Sequence, residues 1–439
     1  MTANAWPPLR RLAILLILCG VAALNLVDRQ LITILLEPIK HDLHVTDTAM
    51  GLLTGLSFAL VYATAALPVA RLSDRNVRGD ILALCLLVWG SMTLFCGLAR
   101  SYGQLAAARM GVALGEAGFN PSAHSIIADL YPPSRRAGAL GLLNAAASIG
   151  IGFGLMFGGW LNTQLQWRTV FMIAGAPCIV LALLFRVGFP EPPRGLSDTR
   201  PAAPEAGAAA AVTSPVGTPP LRQTLAWLWR LRSFRFLALA AMSCAFVNYG
   251  LQIWAASFFI RIHGLGTREV GLKLGTASAI GLLIGTIASG VLADRLGRHD
   301  ARWYMRVTGI GMLLALPFGA LALLSTDSTS GFLYYCVAIG LLSSWASPIH
   351  AVTQTLAAPR MRGMAAAIIS FCLYLVGYSL GPLCVGLLND HLQATLGAES
   401  VRYSLLVLLS GCGLAAWLSF ATNKTIRADL AVSLGVNHM

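Results

Sequence analysis

The chain is short of charge. Of its 439 residues only 11% are charged, 56% are hydrophobic, and the mean hydropathy is +0.71. An average soluble domain carries about 25% charged residues, so a soluble fold of this composition could not cover its own surface. The chain also lacks the polar bias of disorder, the glycine period of collagen and the cysteine density of a disulfide scaffold. Nine cysteines are scattered through apolar stretches, with no CxxC and no Cys/His spacing. They read as buried free thiols, and no metal site is expected. No Walker motif occurs, which argues against ATP-driven transport, and no Ser/His/Asp arrangement supports an enzyme. No cofactor is implied.

Acidic residues are scarcer than basic ones, 18 against 31, for a net charge of +13. In a soluble protein that balance would suggest nucleic acid. Here the charges sit in short clusters between long apolar runs, so the excess is topological and nucleic acid is not a partner. The pair Arg10-Arg11 precedes an apolar run, as in a signal peptide. That run contains Asp28-Arg29 and has no evident small-residue cleavage site, so it reads as a first membrane span.

A spanning helix needs about 20 mainly apolar residues. Runs of that kind cover about 12–36, 48–70, 80–99, 102–130, 137–160, 168–189, 234–260, 269–293, 303–325, 331–356, 363–388 and 401–422, twelve in all. With the N-terminus inside, twenty of the basic residues fall in loops on that side. Six fall on the other: Lys40, Arg100, Arg168, Arg261, Arg268 and Arg402. The positive-inside rule then places both termini in the cytoplasm, and a bacterial inner membrane is the expected location.

The segment from Pro190 to Pro220 holds eight prolines and the run Ala208–Ala211 and reads as a flexible linker. It divides the chain into an N-terminal six-helix bundle (1–189), a cytoplasmic linker (190–233) and a C-terminal six-helix bundle with a tail (234–439). Within the linker, Arg222 to Ser233 sets Leu225, Trp227, Leu228, Trp229 and Leu231 among three arginines, as in a short interfacial helix.

One motif occurs twice. Residues 290–298 read Gly-Val-Leu-Ala-Asp-Arg-Leu-Gly-Arg, and residues 70–78 read Ala-Arg-Leu-Ser-Asp-Arg-Asn-Val-Arg, with Asp74 and Asp294 standing 220 positions apart. Repetition of this kind marks a transporter built from two related bundles. The motif resembles the loop 2–3 signature of the major facilitator superfamily. The second copy matches throughout; the first has Ala70 and Val77 in place of its glycines. The resemblance implies an all-α integral membrane fold of twelve transmembrane helices in two pseudo-symmetric six-helix bundles, which rock about a central cavity. It also implies a cytoplasmic gate built from Asp74, Arg75, Asp129, Asp294 and Arg295, with Arg75 or Arg71 reaching Asp129. The second half has no acid matching Asp129, so its latch is expected to be the weaker.

Ionisable residues deep in a span are functional candidates by default. Span 1 holds Asn25, Asp28 and Arg29; span 4 holds Arg109 and Glu116. At about 1.5 Å per residue, Asp28 and Arg109 lie at similar depth, and Arg109 and Glu116 lie two turns apart on one helix face. Two acids and two arginines make a neutral set. It is either a proton relay or a permanent salt-bridge knot.

The string Asn25-Leu26-Val27-Asp28-Arg29 is similar to the N-Y-x-D-R of two families, the spinster-like lipid transporters and the organic anion:cation symporters. The string from Arg109 to Ala117, with Pro121, Ser125, Asp129 and Pro132, is similar to both as well. Glu191-Pro192-Pro193-Arg194-Gly195, the string from Trp254 to Gly264, Pro359–Gly363 and Gly381-Pro382 favour the spinster-like family. That resemblance implies proton coupling through Asp28 and Glu116, with Arg29 and Arg109 as their partners and the proton as the coupling ion.

The second half offers uncharged polar and aromatic groups in mid-span. Tyr249, Gln252, His350, Gln354, Tyr374 and Tyr378, with Asn25 from the first half, are the candidate lining of a substrate cavity. His124 and His350 are further candidate proton sites. Glycines of span 5 (Gly150, Gly152, Gly154, Gly158, Gly159) and span 11 (Gly377, Gly381, Gly386) serve either the seam between bundles or packing within one. The expected function is proton-coupled secondary transport of an amphipathic, lysophospholipid-like substrate by a monomer in the lipid bilayer. The alternatives are a symporter of small organic anions such as sugar acids and, in another class, a non-transporting receptor or scaffold.

Overall fold

The computed structural model describes residues 7–188, 191–193, 196, 221–357 and 361–436. The side chains of Asp74 and Arg75 and most of the 190–220 linker lie outside the described residues. Everything described is helix or short connection. The first half comprises α1 (Pro8–Ile34), α2 (Leu36–Leu43), α3 (Asp47–Thr54), α4 (Leu56–Arg75), α5 (Arg78–Leu98), α6 (Tyr102–Glu116), α7 (Phe119–Leu130), α8 (Pro133–Gln164) and α9 (Trp167–Gly188). Between the halves lies α10 (Leu221–Arg230), with Leu228 buried and Trp229 exposed. The second half comprises α11 (Arg232–His263), α12 (Thr267–Gly297), α13 (Arg302–Leu324), α14 (Ser328–Leu342), α15 (Ala346–Leu356), α16 (Arg362–Cys372), α17 (Ser379–Leu396) and α18 (Ser400–Val436).

Ten segments among the described residues are long and apolar enough to cross a bilayer. One of them, Arg362–Leu430, folds back on itself into two crossings, α16–α17 and α18. Residues 102–130 form a further crossing, interrupted at Ala117-Gly118 between α6 and α7. The twelve expected crossings are thereby accounted for. Their outward faces are apolar, with Ile149, Val187, Ile284 and Trp417 exposed. In a protein of this class that surface meets acyl chains. Of the nine free cysteines, Cys384 is exposed and Cys336 and Cys372 are half-buried, so full burial holds only for the other six.

Local chemistry sets the helix ends. Thr46, Ser101 and Asp327 cap α3, α6 and α14 by accepting hydrogen bonds from Ala49 N, Gln104 N and Ser330 N. The N–H groups of Ser330 and Thr329 hold the Asp327 carboxyl below its usual range. All three caps lie at the end of the molecule away from the chain termini. Pro8 and Pro133 start α1 and α8, where a missing N–H costs nothing.

Several crossings are broken near their middles. Gly55 separates α3 from α4, Ser343–Trp345 forms a 3-10 turn between α14 and α15, and Leu373–Tyr378 is a π-helical turn between α16 and α17. Breaks of this kind are tolerated where backbone lines a cavity or packs on protein.

The two bundles meet along two seams. In one, α3 crosses α17 so closely that a Cβ on Gly51 would stand 2.6 Å from Pro382 O. In the other, α8 crosses α12, where a Cβ on Gly152 would stand 2.9 Å from Gly275 O. Glycine is required at both crossings because backbone faces backbone. The remaining span 5 and span 11 glycines divide between the two expected roles. Gly150, Gly154 and Gly158 pack on α1 in their own bundle, and Gly377 and Gly381 on α11. Gly159 and Gly386 face the other bundle.

Ion pairs reinforce the seams at the end away from the termini. Arg261 of the second bundle bonds Asp47 at 2.6 and 2.8 Å and Glu37 at 2.9 Å in the first. Lys40 bonds Asp47 at 2.5 Å. Asp390 accepts from Asp47 N and Thr48 N, at 3.0 and 2.7 Å, so a carboxylate of one bundle sits on a helix N-terminus of the other. The hydrogen bonds and ion pairs joining the bundles among the described residues gather here, which makes this the sealed end. The cavity between the bundles is reached from the end that carries the termini.

Candidate functional site

The two acids and two arginines of spans 1 and 4 come together as two ion pairs. Arg109 Nη1 bonds Asp28 Oδ2 at 3.0 Å, and Thr93 Oγ1 donates to Asp28 Oδ1 at 3.0 Å. Arg29 Nε bonds Glu116 Oε2 at 2.7 Å. Asp28, Arg109 and Glu116 are each at most 3% exposed. Sequence spacing dictates this: Asp28 and Arg29 are neighbours on α1 about 100° apart, so each faces a different acid or base of α6. Glu116 ends α6, where the helix breaks at Ala117-Gly118.

The two acids differ in one respect. Both oxygens of Asp28 are engaged, whereas Glu116 Oε1 is buried and has no hydrogen-bond partner. Arg109 Nε is likewise buried without a partner. A buried carboxylate oxygen with no donor is costly, and a proton on it removes the charge that makes it so.

Aromatic rings hold Arg29. Its guanidinium lies 4.8 Å from the Phe58 ring, 4.9 Å from Tyr62 and 6.0 Å from Tyr378. Phe58 also lies 5.3 Å from the Arg109 guanidinium. Tyr62 meets Tyr374 at 4.5 Å in a tilted contact across the bundle boundary, Tyr374 stacks on Tyr378 at 4.8 Å, and Tyr378 meets Tyr249 in a tilted contact at 3.4 Å. The π-helical turn sets this ladder, since it carries both Tyr374 and Tyr378. Asn120 Nδ2 donates to the Tyr62 hydroxyl at 3.2 Å.

The two arginines, Phe58 and three of the tyrosines wall a central cavity of about 360 Å³, with Asp28 and Glu116 behind them. Arg29 and Arg109 line it from the first bundle, and Tyr249, Gln252, His350, Tyr374 and Tyr378 from the second. Gln252 Nε2 donates to Asn248 Oδ1 at 2.7 Å, one turn away, and both face the cavity. Two expected lining residues are elsewhere. Asn25 is buried outside the cavity, three residues before Asp28 on α1, and Gln354 is exposed on α15. The period of α15 explains Gln354: four positions after His350, it lies one turn beyond the cavity wall toward the open end. His124 is exposed and does not line the cavity. Trp254, also mid-span, donates its indole N–H to Pro382 O at 2.9 Å and is buried.

The charges at the open end are arranged around Arg78, which the sequence reading left out. Arg78 is 1% exposed. It bonds Asp129 with Nη1, Ser125 Oγ at 2.9 Å, Glu191 Oε1 at 2.7 Å and Pro192 O at 2.9 Å. Arg78 is thus a partner of Asp129, Arg71 is exposed, and the expected contact of Arg75 with Asp129 falls on a side chain outside the described residues. The gate expected of Asp74 and Arg75 falls on side chains outside the described residues. In the second half, Asp294 is exposed and accepts from the Tyr304 hydroxyl at 3.0 Å, and Arg295 is exposed. Signals for the missed groups existed. Arg78 is the last residue of the repeated motif, and Glu191 belongs to the E-P-x-R-G string. Phe58 and Tyr62 lie one helical turn apart on span 2.

Comparison with known proteins places the chain. The profile of the Major Facilitator Superfamily matches residues 18–382. An "MFS-type efflux pump" of Mycolicibacterium smegmatis is 37% identical over 427 residues, covering 95% of each chain. "Protein spinster homolog 3" of Danio rerio is 26% identical, covering 86% of this chain and 76% of its own. Among solved structures, a bacterial homologue of the human lysosomal transporter Spinster, in an inward-facing and unoccupied conformation, superposes with a TM-score of 0.85 at 29% identity. It covers 95% of this chain, and 98% of that structure is covered. Fold, repeated motif, buried charge pairs and relatives agree: the chain belongs to the Major Facilitator Superfamily and is a spinster-like transporter.

Proposed function

We propose that this chain couples protons to the movement of an amphipathic, anionic, lysophospholipid-like substrate. It would act by alternating access, as a monomer in a bacterial inner membrane with both termini cytoplasmic. The observation that carries this reading is the unpartnered Oε1 of Glu116, buried beside Arg29 at the wall of the cavity.

Protonating Glu116 removes the charge that pairs Arg29. A buried guanidinium left without a counter-ion is unfavourable by several kcal/mol. An acidic group of the substrate supplies the missing charge. Arg29 already lines the cavity, and Phe58, Tyr62 and Tyr378 hold its plane, so the change of partner needs little movement. Proton and anion then favour each other's binding, and the coupling is reciprocal. Asp28, with both oxygens occupied, keeps Arg109 neutralised throughout. The apolar part of the substrate rests on Tyr249, Tyr374, Tyr378 and Trp345 of the facing wall.

In the alternate state the seams at the sealed end part and the open end closes. Asp74, Arg75, Asp129, Asp294 and Arg295 lie in the last turns of α4, α7 and α12, the helix ends that would meet there. The mycobacterial relative is named an efflux pump, which supports outward movement of substrate.

The size of the cavity favours a second reading. A volume of about 360 Å³ is near the lower end of the ~300–1,000 Å³ common for ligand pockets, and it suits a small organic anion such as a sugar acid between Arg29 and Arg109. Proteoliposomes holding a pH-sensitive dye separate the readings. An anionic lysophospholipid that moves protons without general leakage, with a sugar acid silent, supports the first. A response to the sugar acid alone replaces it with the second.

A further inference from the structure

A second cavity lies on the membrane-facing side of the second bundle, away from the transport site. It has a volume of about 450 Å³ and lies between α12, α13 and α14. Ile284, Ala288, Ile310 and Leu314 are among its walls and all four are exposed. In a chain that crosses a bilayer such a wall faces acyl chains. The groove is concave, and its volume is within the ~300–1,000 Å³ range that holds a discrete ligand.

The end of the groove nearest the termini is chemically distinct. Trp303, in the first turn of α13, lines it, and the Arg306 guanidinium lies 5.1 Å from the Trp303 ring. Arg306 is half-buried, and no carboxylate among the described residues pairs with it. The two nearby acids are engaged elsewhere: Asp300 with Arg427 at 3.0 Å, and Asp294 with the Tyr304 hydroxyl. Arg306 lies four residues from the start of α13, about 6 Å along its axis, at the depth where a lipid headgroup begins. An indole and an unpaired arginine at that level favour an anionic headgroup over a zwitterionic one.

We propose that this groove retains one anionic phospholipid, with an acyl chain between α12, α13 and α14 and its phosphate on Arg306. The site is separate from the central cavity but shares a wall with it. Gly281, Gly285 and Ala288 of α12 line the groove, while Leu282 and Thr286 of the same helix line the cavity. The proposal does not depend on what the protein transports.

The test uses the full-length protein reconstituted in phosphatidylcholine bilayers with a trace of phosphatidylglycerol carrying a diazirine in one acyl chain. A matching phosphatidylcholine analogue is the control, and labelled peptides are mapped by mass spectrometry. The expected result is labelling concentrated on α12, α13 and α14, with about a fivefold preference for the anionic analogue. Arg306→Ala brings that preference to about one, and Arg306→Lys keeps most of it. Ala288→Trp fills the groove from its exposed side and removes groove labelling by both analogues. Equal labelling by the two analogues in the unaltered protein would overturn the proposal. So would an even spread around the apolar belt, an undiminished preference in Arg306→Ala, or displacement by water-soluble glycerol phosphate.

Discussion

Replacing Arg261 by methionine should open the sealed end. The side chain keeps its length and loses its charge. Three charge-assisted hydrogen bonds between the bundles go with it: two to Asp47 and one to Glu37. Asp47 is fully buried and retains Lys40, and Glu37 is about a fifth exposed, so the cost belongs at the low end of the range for breaking a buried pair, about 3 kcal/mol. In the alternate state the same groups are solvated and lose nothing. The difference therefore falls wholly on the state described here, and about 3 kcal/mol is on the order of a hundredfold in the equilibrium. A state occupied about 1% of the time would rise to about half. Spin labels or fluorophores on α2 and on the α17–α18 connection report the separation directly. A distance distribution that Arg261→Met leaves unchanged would refute the assignment of this cluster as the seal.

The same geometry gives further expectations. Arg78→Lys should lower thermal stability in detergent nearly as much as Arg78→Ala, by several degrees in Tm, because one ammonium cannot serve Asp129, Glu191, Ser125 and the Pro192 carbonyl together. Gly152→Leu should hold α8 and α12 apart, since a Cβ there already stands 2.8 Å from the Ala279 Cβ; accessibility of single cysteines at the sealed end should rise. Tyr62→Phe should bind substrate within about twofold of the unaltered protein, while Tyr62→Ala should bind about tenfold more weakly, because the ring and not the hydroxyl faces Arg29. Gln354→Ala should leave affinity unchanged, as the side chain is exposed away from the cavity.

The bilayer thickness made most of the fold legible, because it imposes a run length that any reader can count. Span 4 shows why the count worked where length alone does not: its apolar run continues through the break at Ala117-Gly118, although neither α6 nor α7 is long enough alone. The four buried charges were legible for the same reason, since each is an exception inside a run. Their pairing followed from helical depth, but the difference between the acids did not, because it depends on which neighbouring side chains reach them: Thr93 reaches Asp28, and no donor reaches Glu116 Oε1. The seal was not legible. Asp47 and Asp390 are 343 residues apart, and Arg261 and Asp47 are 214. Each alone is an ordinary charge at the edge of a span. The part played by Arg78 was missed for a similar reason. Arg78 is the last residue of the repeated motif, and only the turn after Asn76 that starts α5 brings it to Asp129 and Glu191.

The central claim is that a proton on Glu116 and an anion on Arg29 bind together. Proton uptake by the purified protein in weakly buffered detergent, followed with an indicator dye while an anionic substrate is titrated, measures this directly. The account predicts uptake approaching one proton per substrate bound in the unaltered protein, and none in Glu116→Gln with binding retained. Binding without proton uptake in the unaltered protein, or equal uptake in Glu116→Gln, would contradict it.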